Sequence, residues 1–532
     1  MKHRVFFQPP VREGLSDSGK TLKEAAGELG IELESICGGE QKCGKCRVII
    51  ENGQENLSQM DESERKLLTP GNIDAGYRLA CAARILGQVS VFVPEQSIAG
   101  GMVILEGGKE LIVEPDPTNE QYGMAFDIGT TTVVGYLIDL RSGAVAAVDS
   151  TLNPQVSFGE DVMSRIAYAT KNEDGLEKLN RIIIAAMNEI IKNVASEACI
   201  EPSDISRVTA VGNTAMHHFF LGIDPKSLGV APFTPVVLES VDVRAKELGL
   251  GISEAGYVHV LPNVAGFVGA DTVGVLIASE PYKQEGTTLT IDVGTNGEIV
   301  LSGNGRMTAA SCATGPALEG AHIRHGMRAK PGAIEHMRID RETYDVRCEV
   351  IGNVRPVGIC GSGVIDAVAG MLEAGILQKN GRFDQDARTD RLRRGADGYE
   401  FVIAAKDDIV ITQKDISEVR LAKAALYAGA KVLMKHAGVS GVDRICLAGA
   451  FGSHIDPRAA MVIGMFPDCP LENVRAIGNA AGDGARMALV NAKKRAEAKE
   501  IAGKIEYIEL TVDPDFETEF VNAMHLPHRT GI

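Results

Sequence analysis

One pattern occurs twice in this chain and limits its possible folds more than any other feature. Residues 123–139 read G-M-A-F-D-I-G-T-T-T-V-V-G-Y-L-I-D, and residues 288–301 read T-L-T-I-D-V-G-T-N-G-E-I-V-L. Aligned on Asp127 and Asp292, each copy is an apolar strand, then Asp-[Ile/Val]-Gly-Thr, then a second apolar strand. A hairpin with a tight glycine turn accounts for both. Glycine lets the backbone approach an oxyanion, and successive N–H groups of the turn form an anion nest. The aspartate would repel a phosphate directly. Its sensible role is to hold Mg²⁺ through water or to orient an attacking water. A single copy is weak evidence, because such turns arise by chance. Two facing copies would pinch a polyphosphate from both sides.

Each copy is followed by helical and strand patterns. After the first, strands are expected at 144–149, 207–211 and 257–261 and a helix at 176–198. After the second come helices at 362–377 and 414–436 and a strand at 444–447. A third element, Leu447-Ala448-Gly449-Ala450-Phe451-Gly452-Ser453-His454, reads as a strand entering a glycine-rich turn, with a helix from about Asp456. Its glycines suit close packing against a flat base or ribose, though structure alone explains them equally well.

The N-terminal region carries a different chemistry. Four of the ten cysteines, Cys37, Cys43, Cys46 and Cys81, crowd into one stretch, and the other six are scattered singly. Four thiolates are what two irons bridged by two sulfides need. Gly38, Gly39 and Gly44 let the chain wrap a compact inorganic core. Zinc and free thiols are the competing readings. Zinc sites favour paired C-x-x-C or Cys/His sets, and only one C-x-x-C is present. A strand at 5–7, a helix at 21–29, a strand at 47–50 and a closing strand at 88–93 surround the cysteines. Glycines and prolines over 96–121 mark a boundary, and the apolar pieces within 102–113 suggest a short hairpin.

At 532 residues several domains are expected. A net charge of −17 disfavours nucleic acid and anionic membrane surfaces as partners. No apolar run reaches spanning length and the N-terminus lacks a secretory stretch, so a cytoplasmic protein with reduced thiols is expected.

The order strand, helix, cysteine loop, strand, late cysteine and strand resembles the β-grasp 2Fe–2S ferredoxins, in the adrenodoxin-type spacing. The duplicated hairpins and the third motif resemble the phosphate-1, phosphate-2 and adenosine motifs of the actin-like ATPase superfamily. No P-loop signature is present. Further blocks are Asn153-Pro154-Gln155, Gly212-Asn213-Thr214, Pro262-Asn263-Val264-Ala265-Gly266-Phe267, Cys312-Ala313-Thr314-Gly315-Pro316 and Gly358-Ile359-Cys360-Gly361-Ser362-Gly363. With a ferredoxin fused in front, these make the whole chain similar to the reductive activators of corrinoid proteins.

The resemblance implies a multidomain α/β protein: a ferredoxin domain (1–95), a linker (96–121) and a two-lobed, ribonuclease H-like ATPase. Its lobes are 122–285 and 286–532, and the C-terminal helix is a candidate to pack back on the first lobe. Other members carry an extra domain where only about 25 residues intervene here. The resemblance further implies ATP-dependent, one-electron reduction of Co(II) to Co(I) on a corrinoid partner protein of methyl transfer. A low-potential electron donor and a homodimer are also implied. Carried over residue by residue, Cys37, Cys43, Cys46 and Cys81 hold a 2Fe–2S cluster. Asp127, Gly129, Thr130 and Thr131 form the first phosphate loop with Mg²⁺. Asp292, Gly294, Thr295 and Asn296 form the second. Gly449, Ala450, Phe451 and Gly452 approach the nucleoside, and Asn213 faces the cleft. Two other readings stay open: a metabolite kinase with a redox-regulatory ferredoxin domain, and an ATPase activator of another metalloenzyme.

Several conspicuous residues have duller explanations. His217 and His218 are adjacent on a helix start, so they face different ways and packing explains them best. Cys312 and Cys360 lack cluster-like spacing and read as small buried hydrophobes. Arg391, Arg393 and Arg394 read as a solvated charge run. Lys493, Lys494 and Arg495 read as the cationic end of a helix.

Overall fold

The computed structural model describes residues 2–8, 12–31, 33, 39–42, 44–68, 72–73, 76–94, 97, 113–118, 120–159, 161–294, 296–320, 322–396 and 398–528. Cys37, Gly38, Cys43, Thr295, the side chain of Ala450 and all but Val113 of the hairpin expected at 102–113 lie outside the described residues. The chain divides into two compact units, 1–101 with 155–165, and 102–154 with 166–532.

In the first unit five strands form one sheet in the order β2-β1-β5-β3-β4. They are β1 (Lys2–Gln8), β2 (Arg12–Asp17), β3 (Arg47–Asn52), β4 (Tyr77–Leu79) and β5 (Val89–Phe92). β1 and β5 run parallel, and the other pairs are antiparallel. Helix α1 (Leu22–Glu28) starts at a capping box. The Thr21 hydroxyl accepts from Glu24 N–H, and the Glu24 carboxylate accepts from Thr21 N–H. Its apolar side, Leu22, Ala25 and Ala26, is buried with Val5, Phe7, Val48, Leu79 and Val91. A sheet gripping one helix is the β-grasp arrangement. A short helix that the sequence pattern does not announce, α2 (Glu62–Leu67), is capped by Asp61.

The second unit contains the duplication in three dimensions. Its first large sheet has the order β10-β11-β9-β6-β7-β8: β6 (Tyr122–Ile128), β7 (Thr132–Asp139), β8 (Val145–Leu152), β9 (Ile205–Gly212), β10 (Val241–Arg244) and β11 (Tyr257–Val260). Its second has the order β22-β21-β12-β13-β14-β23: β12 (Thr288–Val293), β13 (Gly297–Gly303), β14 (Arg306–Cys312), β21 (Arg444–Ala448), β22 (Val474–Gly478) and β23 (Ile505–Tyr507). In both, three consecutive strands are antiparallel, and the first of them pairs in parallel with a later strand. That strand pairs in parallel with the next. This is the ribonuclease H-like core, present twice.

Two helices join the sheets. α5 (Ala270–Ser279) follows β11 and α10 (Ala480–Val490) follows β22, α3 (Gly175–Glu197) and α4 (Thr214–Leu221) having come before them. α5 and α10 cross at glycines: a Cβ on Gly484 would lie 2.1 Å from the Gly274 carbonyl oxygen. One apolar cluster runs from Ala125 and Val211 through Val273, Leu276, Ala485 and Leu489 to Val300 and Ala309, so both sheets share a core around the crossing.

Behind the second sheet runs α7 (Gln413–Ala437), preceded by α6 (Gly361–Glu373). Two three-stranded sheets are inserted between β14 and β21: β15 (Ala333–Ile339), β16 (Val346–Val350) and β17 (Gly358–Ile359); and β18 (Leu392–Gly395), β19 (Gly398–Ala404) and β20 (Ile409–Thr412). Further helices are α8 (Gly449–Gly452), α9 (Pro457–Ile463), α11 (Ala492–Ala502) and α12 (Phe516–Ala523), and a ten-residue helix, Val162–Lys171, precedes α3. The final helix, α12, packs on α7. The elements that pack on the first half are α10, against β6, β9 and α5, and α11, against α5.

One reading of charge holds in part and one is corrected. Arg393 and Arg394, at the start of β18, are exposed as a solvated run would be, while Arg391 just before it is half-buried. Arg393 Nε donates to buried Glu400 at 2.9 Å, and Arg391 Nη1 donates to the carbonyls of Val402 and Ile403. Lys493, Lys494 and Arg495 do not end a helix. Asn491 is extended there and its side chain accepts from the N–H groups of Lys493 and Lys494, so a new helix begins.

Candidate functional site

In the first unit, pairing of β3 with β4 brings together two cysteines far apart in sequence. Arg47 is in register with Leu79, and Ala80 N–H donates to the Cys46 carbonyl at 2.8 Å. Cys46 and Cys81 are both buried. The turn carrying Cys81 is held from three sides. Lys23 N–H donates to the Ala80 carbonyl, Leu22 N–H donates to that of Ala83, and Leu79 N–H donates to the Glu64 carboxylate at 2.7 Å. Glu64 also takes two bonds from Arg78, at 2.8 and 2.9 Å, in a buried ion pair. Gly39 (φ +103°) and Gly44 (φ +63°) adopt left-handed conformations that favour glycine. A Cβ on Gly39 would lie 3.8 Å from Cys81 Cβ, so the loop passes close to that ligand position. A buried thiol pair beside a glycine loop fits an iron–sulfur cluster, and Cys37 and Cys43 are the other two candidate donors in the sequence.

In the second unit the two aspartates occupy equivalent places. Asp127 pairs across β6 with Val211 of β9, and Asp292 across β12 with Ala448 of β21. Gly129 N–H donates to the Thr132 carbonyl at 2.9 Å, and Gly294 N–H to the Asn296 carbonyl at 2.9 Å, closing the two turns.

Two asparagines outside the Asp-x-Gly-Thr motif, Asn153 and Asn213, fix the first turn. Asn153 Nδ2 donates to the Gly129 carbonyl at 2.8 Å, and its N–H donates to that of Thr131. Asn213 Nδ2 donates to Thr130 Oγ1 at 2.8 Å, while its Oδ1 caps α4 by accepting from Met216 N–H. The second turn is tied to the next loop by Thr314 Oγ1, which donates to the Gly294 carbonyl at 3.2 Å.

The glycine-rich turn of the third motif is a single helical turn, α8. At its start Gly449 has φ +84°, and a Cβ there would lie 2.5 Å from Asp292 Oδ1. Phe451 lies over Gly361 at the start of α6, where a Cβ would meet the ring at 2.5 Å.

Two acidic residues that no sequence motif marks also join the site. Asp271 is the second residue of α5. A Cβ on Gly269, just before that helix, would lie 2.5 Å from Asn213 Cα, so the chain approaches the first turn closely. Glu298 is the cross-strand partner of Asp292 and has Ser311 Oγ within 3.4 Å.

The group behaves as one electrostatic unit. Burial, then the charge of Asp271, pushes Asp127 up to about 7, against a hydrogen bond from the Asn479 side chain. Burial, then Asp271 and Asp127, pushes Asp292 up to about 7. Burial raises Asp271 to about 6, and burial with Asp271 and Asp292 holds Glu298 well above the usual carboxyl range. Converging carboxyls that resist ionisation are a natural seat for a divalent cation. The turn N–H groups beside them suit an anion.

The histidines lie outside this chemistry. His218 Nδ1 bonds the Thr214 carbonyl at 2.7 Å and its Nε2 accepts from Val236 N–H. Burial lowers His217 to about 3, which keeps it neutral. Cys312 is buried against α7 at Gly429, and Cys360 precedes α6, so each sits in its own packing environment.

Comparison with known proteins covers the whole chain. A family model described as the C-terminal domain of RACo, the ASKHA domain, matches residues 286–531. One for the RACo middle region matches 122–284, and a 2Fe-2S iron-sulfur cluster binding domain matches 11–86. The chain is 35% identical to the corrinoid activation enzyme RamQ of Eubacterium limosum, covering 98% of this chain and 99% of that one. It is 27% identical to the [Co(II) methylated amine-specific corrinoid protein] reductase of Methanosarcina barkeri, over 72% and 73%. A solved structure of a reductive activator for corrinoid, iron-sulfur protein shares 33% identity with a TM-score of 0.71, covering 99% of both chains.

Proposed function

Because the chain belongs to the family of reductive activators of corrinoid proteins, we propose that it uses Mg-ATP to drive one-electron reduction of Co(II) to Co(I) on a corrinoid partner protein. A 2Fe–2S cluster held by Cys37, Cys43, Cys46 and Cys81 supplies the electron. Asp127, Asp271 and Asp292 hold the Mg²⁺. The N–H groups of Gly129–Thr131 and of 294–296 hold the phosphates. Asn213 fixes Thr130 against the first turn, and Gly449 with Phe451 approaches the nucleoside.

The observation that carries the reading is the meeting of Asp127, Asp271 and Asp292 from two copies of one fold. Such a meeting has no structural use without a cation to neutralise it.

The energetics say what ATP is for. A thiolate-ligated 2Fe–2S centre works near roughly −400 mV, and the corrinoid couple lies lower. One electron needs about 1.4 kcal/mol per 59 mV, so a gap of one or two hundred millivolts asks for roughly 2 to 5 kcal/mol. Favourable binding of the partner in its Co(I)-forming state is of that size. ATP then resets the complex by changing which closure of the two sheets around α5 and α10 is stable.

The test is anaerobic titration of a Co(II) corrinoid protein with this protein, reductant and Mg-ATP. Co(I) absorbance and partner-stimulated ATP hydrolysis are expected. A phosphorylated small-molecule product with no Co(I) would overturn the reading in favour of a kinase.

A further inference from the structure

Among the described residues, a cation with no acidic partner stands beside the cysteine turn. Lys23 occupies the first turn of α1, the end of a helix that disfavours positive charge. The neighbouring charged groups are already engaged. Glu24 is turned back to Thr21 N–H and Oγ1, Lys20 pairs with Glu28, and Arg84 Nη1 donates to the Gly19 carbonyl. No carboxylate among the described residues pairs with Lys23.

Its main chain and side chain both reach the cysteine region. Lys23 N–H donates to the Ala80 carbonyl at 2.9 Å, one residue before Cys81. Its ammonium lies 3.6 Å from where a Cβ on Gly39 would stand, and Cys81 Cβ lies 3.8 Å from the same point. Gly39 itself belongs to the loop between the first two cysteines. Both the ammonium and Cys81 Cβ therefore come within van der Waals reach of the same point on the loop.

Four thiolates, two sulfides and two ferric ions sum to a charge of −2, and one added electron makes it −3. A nearby cation therefore favours the reduced form. We propose that Lys23 sets the reduction potential of the cluster, holding it higher than the protein would otherwise give. The ammonium makes the cluster easier to load from a donor of limited strength and leaves a larger uphill gap to the cobalt. The inference rests on the cluster reading above and extends it to a residue outside the ligand set.

The experiment uses the full-length holoprotein, with wild type, Lys23→Arg, Lys23→Gln and Lys23→Glu compared in EPR-monitored redox titrations at low salt. Lys23→Gln is expected to lower the reduced-to-oxidised ratio at fixed solution potential about three- to tenfold, tenfold being about 59 mV for a one-electron couple. Lys23→Glu is expected to lower it further, and Lys23→Arg to stay within about twofold of wild type. The g values should not move, because no ligand changes, and the shifts should shrink at high ionic strength. Equal potentials in wild type, Gln and Glu variants would overturn the proposal. So would a shifted potential accompanied by altered g values, which would assign the effect to loop geometry. Absence of any reduced-cluster signal in wild type would instead sink the cluster reading itself.

Discussion

Asp292 and Glu298 stand directly opposite each other on adjacent strands of one sheet. Like charges in that position repel, and Asp271 and Asp127 add to the same field. The folded protein therefore raises both carboxyls above their ordinary range, burial being the first cause and the neighbouring carboxylates the next.

This gives the apoprotein a defined pH dependence. Asp127 and Asp292 have ordinary values of 3.8 and folded values of about 7. Raised folded values mean that protonation favours the folded state. Their contribution is complete below about pH 4 and is lost as pH climbs towards 7. Thermal unfolding of the nucleotide-free protein should show a lower Tm at pH 8 than at pH 6. The rise in Tm on adding Mg-ATP should be larger at pH 8, because the cation competes with those protons.

Asp127→Asn should separate stability from function. Removing a reluctant carboxylate should raise apoprotein stability at pH 8 by about 1 to 2 kcal/mol, discounted for solvent screening, and flatten its pH dependence. ATP hydrolysis should fall roughly 100-fold or more with the loss of the Mg²⁺-holding or water-orienting group. Calorimetry and a phosphate-release assay check the two halves.

Gly449→Ala should damage nucleotide handling through a single methyl. The new Cβ would lie 2.5 Å from Asp292 Oδ1, at a φ of +84°. Strain of about 1 to 2 kcal/mol is expected from the left-handed backbone alone. Mg-ATP binding measured by calorimetry should weaken, while the visible spectrum of the iron–sulfur unit stays unchanged.

Glu64→Gln should loosen the cysteine turn. It leaves Arg78 buried without its counter-charge and weakens the bond to Leu79 N–H. Breaking a buried pair in this way costs about 3 to 5 kcal/mol. The cluster absorbance should bleach at a lower urea concentration than in wild type, with Mg-ATP binding retained.

Much of this architecture is legible in the sequence because local chemistry determines it. The Asp-x-Gly-Thr turns declare themselves because their glycines and aspartates are fixed by the turn. The long helices follow from apolar periodicity, as with α3 and α7. What stays hidden depends on pairing across long separations. Asp271 is one aspartate at the start of an apolar helix, and only the approach of Gly269 to Asn213 brings it to the site. Glu298 becomes visible as a site residue only once the β12–β13 register is known. Asn153 stands in a block that the sequence singles out, but only the fold shows it holding the Gly129 carbonyl, 24 residues away. The exposed arginines of β18 do not announce that Glu400, the partner of Arg393, lies nearly solvent-free on the neighbouring strand.

The most direct test is the Co(I) yield per reducing equivalent when a Co(II) corrinoid protein is mixed anaerobically with reduced protein, with and without Mg-ATP over repeated turnovers. The account predicts one Co(I) per electron delivered, sustained turnover only with hydrolysable ATP, and no Co(I) from a Cys81→Ser variant. Sustained Co(I) formation with a non-hydrolysable analogue, or from the Cys81→Ser variant, would contradict it.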